Sequence, residues 1–369
     1  MDRSNAMNHT CFWNSLHLDR TGKTTVCCMP DMARTMLADF SDCKTSKEFE
    51  EKVFNSPKIK AMRRKVLAGK RFCKHCTRPL RGWRFQDCDY SDLGEYAPLS
   101  MLKHVEILCG TFCNANCMMC EQNHRDKNAI QYDLVKTFMS AIQPENVLLY
   151  GGEIFYVPGG KEFLSWCLDH FPQKVEIYTN GNLPEYFAEK LITKALRVAF
   201  SILGVHKTTY EAVMGVRWET TQKFLNAALD IRKKDRETAQ LVWHFTMTPA
   251  NAHEVAQALR SAAERGFDVF RASPVMELGY YLASYPALLY RISRELEEAQ
   301  GEVGKKLICE TDDLQRMFVE CQLELQSKTE GKQDPQLFDV KNVKIPIIKK
   351  SLRRANRRMR SLASHFKRR

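Results

Sequence analysis

From Leu102 onward, short apolar runs alternate with longer stretches in which apolar positions recur every three or four residues. The first pattern suits strands covered on both faces, the second amphipathic helices, and their alternation reads as a parallel sheet with helical crossovers. Six strands are predicted: Leu102 to Leu108, Asn146 to Tyr150, Lys174 to Thr179, Ala195 to Leu203, Leu241 to Thr248 and Phe267 to Ala272. Helices are predicted over Tyr132 to Ile142, Phe163 to His170, Thr221 to Arg232 and Ala252 to Arg265. Six strand–helix units are too few for the closed eight-unit form, so the expected architecture is an α/β partial barrel.

The first hundred residues follow another pattern: scattered turns, cysteine pairs and one long helical segment from Ser46 to Leu67. They read as a small metal-stapled domain over residues 1–95. The barrel is expected over 96–275, followed by a helical extension over 276–340 with helices at Ser284 to Gln300 and Thr311 to Ser327, and a basic tail over 341–369.

Charge changes this picture in one place. The chain of 369 residues has a formal charge of +12, yet residues 341–369 hold twelve Lys or Arg and no Asp or Glu. The remainder carries 44 residues of each sign and is neutral. In the tail, Leu352, Met359, Leu362 and Phe366 recur at helical spacing among the basic residues, a basic amphipathic pattern suited to an anionic membrane surface, nucleic acid or an acidic partner. A solvated, partly disordered end accounts for it equally well. No run of eighteen apolar residues occurs, and the start MDRSNAMNHT lacks a secretory pattern, so a cytoplasmic protein is expected, with peripheral membrane attachment through the tail as an option.

Fourteen cysteines in a chain of this length and predicted compartment point to metal rather than disulfides. Cys113, Cys117 and Cys120 leave the end of the first predicted strand in the eight-residue segment CNANCMMC. A four-iron cube ordinarily takes four thiolates. Three ligands leave one iron open, and an open metal position is where chemistry takes place. A structural zinc loop is the competing account.

The CxxxCxxC spacing resembles the signature of the radical S-adenosylmethionine (radical SAM) superfamily, as do three further motifs in order along the chain. Tyr150, Gly151, Gly152 and Glu153 resemble the family's GGE motif at the second strand's end; Thr179, Asn180 and Gly181 end the third; Ser201 lies in the fourth, in AFSILG. The resemblance implies a 4Fe-4S cluster on the three cysteines, with S-adenosylmethionine on the open iron. It also implies cofactor contacts from Gly151, Gly152, Glu153, Thr179, Asn180 and Ser201. Met119 stands where the family commonly has an aromatic residue against the adenine, and a thioether can cover that ring by soft contact. The implied activity is reductive cleavage of S-adenosylmethionine to a 5′-deoxyadenosyl radical and abstraction of a substrate hydrogen atom, fed by an external flavodoxin- or ferredoxin-like electron donor.

Cys11, ten residues, Gly22, four residues and Cys27, then a distant Cys73 and Cys76 in CKHC, resemble the twitch or SPASM auxiliary-cluster domains. That resemblance implies one further 4Fe-4S cluster on four cysteines, here placed before the barrel rather than after it. A zinc site uses the same kind of spacing. Cys28, Cys43 and Cys88 have no place in the pattern.

His244 and Arg271 interrupt apolar strands. Arg271 is a candidate for the carboxylate of S-adenosylmethionine or of substrate, or else a strand-end residue facing water. Cys167, Cys309 and Cys321 are candidate hydrogen donors or small core residues. Oxidation, cross-linking or epimerisation of a peptide or carbohydrate-like metabolite is the expected outcome. Maturation of a membrane-associated glycan or protein is a second enzymatic reading, and a non-catalytic iron–sulfur or zinc redox sensor is the alternative outside catalysis.

Overall fold

The computed structural model describes residues 11–26, 36–68, 94–235 and 237–329. Its strands are β1 (Ser15–Leu18), β2 (Lys23–Thr25), β3 (Ala38–Asp39), β4 (His104–Leu108), β5 (Asn146–Tyr150), β6 (Val175–Thr179), β7 (Arg197–Ser201), β8 (Gln240–Met247), β9 (Val269–Pro274) and β10 (Ile308–Glu310). The main helices are α1 (Pro57–Leu67), α2 (Tyr132–Met139), α3 (Gly160–His170), α4 (Ala188–Lys194), α5 (Lys207–Met214), α6 (Trp218–Lys234), α7 (Val255–Arg265), α8 (Met276–Ala283), α9 (Pro286–Val303) and α10 (Asp312–Thr329). The chain is thus an α/β protein whose strands β4 to β9 are the six predicted ones. Among the described residues, no helix is long and apolar enough to cross a membrane.

The contacts divide the chain into two compact units. The first comprises the described residues up to Cys113, then 122–178 and 193–197; the second comprises 114–121, 179–192 and the residues from Val198 on.

In the first unit the strand order is β3-β2-β1-β4-β5-β6. β1 runs parallel to β4, with Ser15 opposite His104 and His17 opposite Glu106, so the segment expected to form a separate N-terminal domain contributes strands to the same sheet as β4. β4 and β5, and β5 and β6, are also parallel. Alternation sorts the side chains of these strands. Leu16, Leu18, Val105, Ile107, Val147, Leu149, Val175 and Ile177 form one buried apolar set, and His17, His104, Glu106 and Asn146 are buried on the opposite side.

The predicted helix over Ser46 to Leu67 is broken in two. Thr45 caps Ser46–Phe49 by accepting from Glu48 N, and the helix passes into a wider turn over Glu50–Phe54. Pro57 then disfavours helical backbone at the residue before it. Ser56 is extended at ψ 153° and caps α1 by accepting from Ile59 N.

Arg63 of α1 is fully buried. Its guanidinium donates to Phe12 O (2.8 Å), Asn55 Oδ1 (2.8 Å), Glu95 O (3.0 Å) and Phe54 O (3.0 Å), and it lies over the Phe54 ring at 4.8 Å. All four acceptors are neutral, and burial lowers the pKa of the guanidinium to about 10. One side chain thus fastens three stretches of the chain, at Phe12, Phe54–Asn55 and Glu95, to α1.

In the second unit the order is β7-β8-β9-β10, with β8, β9 and β10 parallel. Trp243, Phe245, Phe270 and Ala272 are buried on one face. On the other, His244, Arg271 and Glu310 stand in one register row across three strands.

Replacing Arg63 by Leu removes a donor from the carbonyls of Phe12, Phe54 and Glu95 and from Asn55 Oδ1, which keeps Ala97 N. The expected loss is about 3–5 kcal/mol of unfolding free energy, read from the urea midpoint, with Arg63→Lys recovering only part because an ammonium cannot span four acceptors.

Candidate functional site

Within the first unit, the stretch leading into the cysteine loop is built against the turn that follows β5. Gly151 has φ +135°, and a Cβ there would stand 2.2 Å from Gly110 O; one on Gly152 would stand 2.1 Å from Phe112 O. Both approaches are too close for any side chain. They are fixed by backbone hydrogen bonds from Gly152 N to Gly110 O (2.8 Å) and from Glu153 N to Phe112 O (2.9 Å). The two glycines therefore press on the chain that delivers Cys113, and Cys113 N itself donates to His124 O (3.3 Å). Glu153 is fully buried.

Tyr150, next to the glycines, is tied to the N-terminal segment. Its hydroxyl is bonded to His17 Nε2, and His17 Nδ1 pairs with Thr25 Oγ1 at 3.1 Å. Cys109 also belongs here, but burial drives its thiol pKa well above the usual range, which suits a core residue rather than a ligand. Cys167 is raised in the same way.

The rest of the loop, Asn114 to Glu121, belongs to the second unit and is held from two directions there. Asn180 Nδ2 donates to Asn114 Oδ1 (2.7 Å), and Asn114 Nδ2 donates to Asn182 O (3.0 Å). The turn presenting these groups is closed by Gly181 N to Thr179 Oγ1 (3.1 Å) and Asn182 N to Asn180 Oδ1 (2.8 Å). From the second direction comes the C-terminus of α5, whose last carbonyls lack helical partners. Asn116 N donates to Met214 O (3.1 Å) and Met118 N to Val213 O (2.9 Å). Gly215 ends α5 at φ +68°, the left-handed cap that glycine favours, and a Cβ there would lie 3.0 Å from Asn116 O. Cys117 Sγ donates to the fully buried Met214 Sδ at 3.7 Å.

The predicted site residues thus fall as follows. Cys113 and Cys117 are half-buried thiols and Cys120 an exposed one; Met119 and Ser201 are half-buried. Thr179 and Asn180 are buried; Thr179 closes its own turn, and Asn180 fastens the cysteine loop. Arg271 is in an ion pair with Glu310 of β10 at 2.5 Å, so its charge is already balanced across the sheet. Cys27, Cys73 and Cys76 lie outside the described residues, as does the basic tail; Cys11 opens the helical turn Cys11–Asn14.

The donor set suits an iron–sulfur cluster in kind: three thiols on one eight-residue loop, with its backbone held before Cys113 and on both sides of Cys117. Among the described residues no three His, Cys, Asp or Glu side chains are gathered as a ready ligand set. Asn114, Asn182, Met214 and His17 were not singled out from the sequence. The signals available were an asparagine inside the cysteine spacing, a second beyond the TNG turn, and Gly215 closing a short apolar repeat through Tyr210, Val213 and Met214.

No family model matches the chain, and no curated protein matches it in sequence. Among solved structures it is similar to Streptococcus suis SuiB bound to the precursor peptide SuiA, with TM-score 0.41 and 16% identity over 57% of this chain and 50% of SuiB. It is similar to anSMEcpe with bound AdoMet, with TM-score 0.40 and 15% identity over 55% of this chain and 60% of the other. A radical SAM methyltransferase from Sphaerobacter thermophilus has TM-score 0.35 and 12% identity over 55% of this chain and 64% of that one. The chain spans about half the length of the SuiB structures it matches.

Two experiments probe the loop's supports. Gly152→Ala must displace the backbone at Phe112 and is expected to cost at least about 1–3 kcal/mol, read from thermal unfolding. In a double-mutant cycle, Asn114→Ala and Asn180→Ala are expected to couple by about 0.5–3 kcal/mol; additive effects in the same denaturation assay would show that the pair does not hold the loop.

Proposed function

We propose that this chain is a radical SAM enzyme whose cluster sits on Cys113, Cys117 and Cys120. The observation that carries the reading is the meeting of two motifs within one unit: the GGE turn after β5 packs, glycine against backbone, on the residues that lead from β4 into the cysteine loop. Both lie at the C-terminal ends of parallel strands, where ligand sites form in α/β proteins. A structural zinc loop accounts for three thiols but gives no reason for a carboxylate, Glu153, buried at the neighbouring strand end.

When bound, the reduced cluster with S-adenosylmethionine supplies a 5′-deoxyadenosyl radical that removes a hydrogen atom from substrate. The chain's own residues hold, orient and shield. Cys113, Cys117 and Cys120 would hold the cluster as thiolates, and with no fourth protein ligand S-adenosylmethionine would bind it through its amino acid end. Glu153 supplies a carboxylate toward its amino group, and Gly151 and Gly152, packed on the backbone before Cys113, hold Glu153 and the start of the loop in place. Met119 offers an apolar surface to the adenine, and Ser201 a hydroxyl to the nucleoside. Thr179 acts through the turn it closes, and Asn180 through the loop it fastens. Arg271, paired with Glu310, serves a carboxylate only by exchanging that partner. A second cluster on Cys11, Cys27, Cys73 and Cys76, a low-potential electron donor, and a peptide or small-molecule substrate complete the reading.

Anaerobic reconstitution tests it. About eight irons per chain are expected for two four-iron clusters, with formation of 5′-deoxyadenosine from S-adenosylmethionine and dithionite. Replacing Cys113, Cys117 or Cys120 by Ala should abolish that product. Four irons, unchanged by Ala at Cys73 and Cys76, would remove the auxiliary cluster and keep the first. Bound zinc without S-adenosylmethionine cleavage would overturn the whole reading.

A further inference from the structure

We infer that the C-terminus of α5 and the side chain of Met214 form a dry, donor-poor wall beside Cys117 that holds the cluster's reduction potential low. The inference rests on the proposed function, because it assigns Cys117 to a cluster. Three observations within the second unit point the same way.

The amides on either side of Cys117 are committed to the helix. Asn116 N and Met118 N donate to Met214 O and Val213 O. Amides near a cluster stabilise its reduced, more negative state when they bond to its sulfurs, and hydrogen bonds to the sulfurs are among the terms that set the potential. Here those two donors are directed at carbonyls.

Those same carbonyls end a helix, and a helix C-terminus carries about half a negative elementary charge. An added electron on a cluster beside it is disfavoured. Gly215 keeps this end close: the helix stops in a left-handed residue, and a Cβ there would lie 3.0 Å from Asn116 O, tighter than an ordinary contact.

Met214 closes the wall. Its side chain is fully buried, and its sulfur lies 3.7 Å from Cys117 Sγ. A thioether offers soft contact but has no proton to donate, and its bulk excludes water from this side of the cysteine. Solvent access and hydrogen bonding around a metal are the levers that move its potential. A buried thioether, a negative helix end and two amides committed to carbonyls all favour the oxidised cluster and so make the reduced one a stronger reductant. Met214 is a positioning and tuning residue; it is not a ligand.

The test is a midpoint-potential titration of the reconstituted full chain, followed by the electron paramagnetic resonance signal of the reduced cluster. Met214→Gln keeps the length of the side chain but puts an amide with N–H donors at its end, where Met has its terminal methyl, and Met214→Ala opens the wall to water. Each is expected to raise the potential, with the oxidised-to-reduced ratio at fixed potential falling about tenfold, which for one electron is about 59 mV. Met214→Leu keeps an apolar wall and is expected to match the parent chain. Equal potentials for the parent chain, Met214→Gln and Met214→Ala would overturn the inference. Should Met214→Ala fail to fold, the comparison of Met214→Gln with Met214→Leu decides alone. Iron content and S-adenosylmethionine cleavage of the parent chain are read separately, so failure of the functional reading is distinguished from failure of this one.

Discussion

The backbone of the cysteine loop is held by groups that other elements leave unsatisfied. A helix end exposes carbonyls that must find donors, and α5 finds them in Asn116 N and Met118 N. An eight-residue loop with three thiols has no regular structure to satisfy its own amides, so the two deficits cancel. Asn114 and Asn180 add a side-chain clasp on the other side of Asn116. A loop built to carry a metal needs its ligands presented from a fixed backbone, and these bonds, rather than the thiols themselves, fix it.

The first unit meets the same need by a different device. Gly151 and Gly152 bring backbone against backbone at distances no side chain allows, and the two bonds from Gly152 N and Glu153 N make the contact permanent. The sequence reading assigned these glycines to close approach of a ligand. The structure gives them a prior duty, packing the approach to Cys113. The N-terminal segment is drawn into the same arrangement: β1 pairs with β4, and His17 of β1 bonds Tyr150 at the head of the glycine turn. Arg63 then anchors α1 to that segment through four neutral acceptors. Of the part of the chain that looked separate by composition, the described strands β1, β2 and β3 belong to the sheet.

Several elements were legible because a local rule decides them. β5 matches the predicted run from Asn146 to Tyr150 in full, since five residues flanked by polar turns admit no other period. α7 ends at Arg265 as expected, with Gly266 left-handed at φ +84°. The break in the helix from Ser46 was written in Ser56-Pro57, a cap followed by a first-turn proline, yet the apolar spacing on either side concealed it. β1, β2, β3 and β10 were missed for another reason. They are two to four residues long, and a strand so short is made by its partner, not by its own pattern.

The sequence by itself determined the donor chemistry and the order of the chain: three thiols in one loop, a GGE turn on the next strand, and the alternation that makes a parallel α/β sheet. Those are local properties, carried by spacing and periodicity. Only the tertiary structure decided what holds them, namely that Asn180 spends its amide on Asn114, that Arg271 is matched by Glu310, and that Met214 lies against Cys117. The physical reason is distance along the chain. These partners are separated by 66, 39 and 97 residues, and nothing in a side chain's local pattern records which distant hydrogen-bond donor, charge or sulfur the fold will bring beside it.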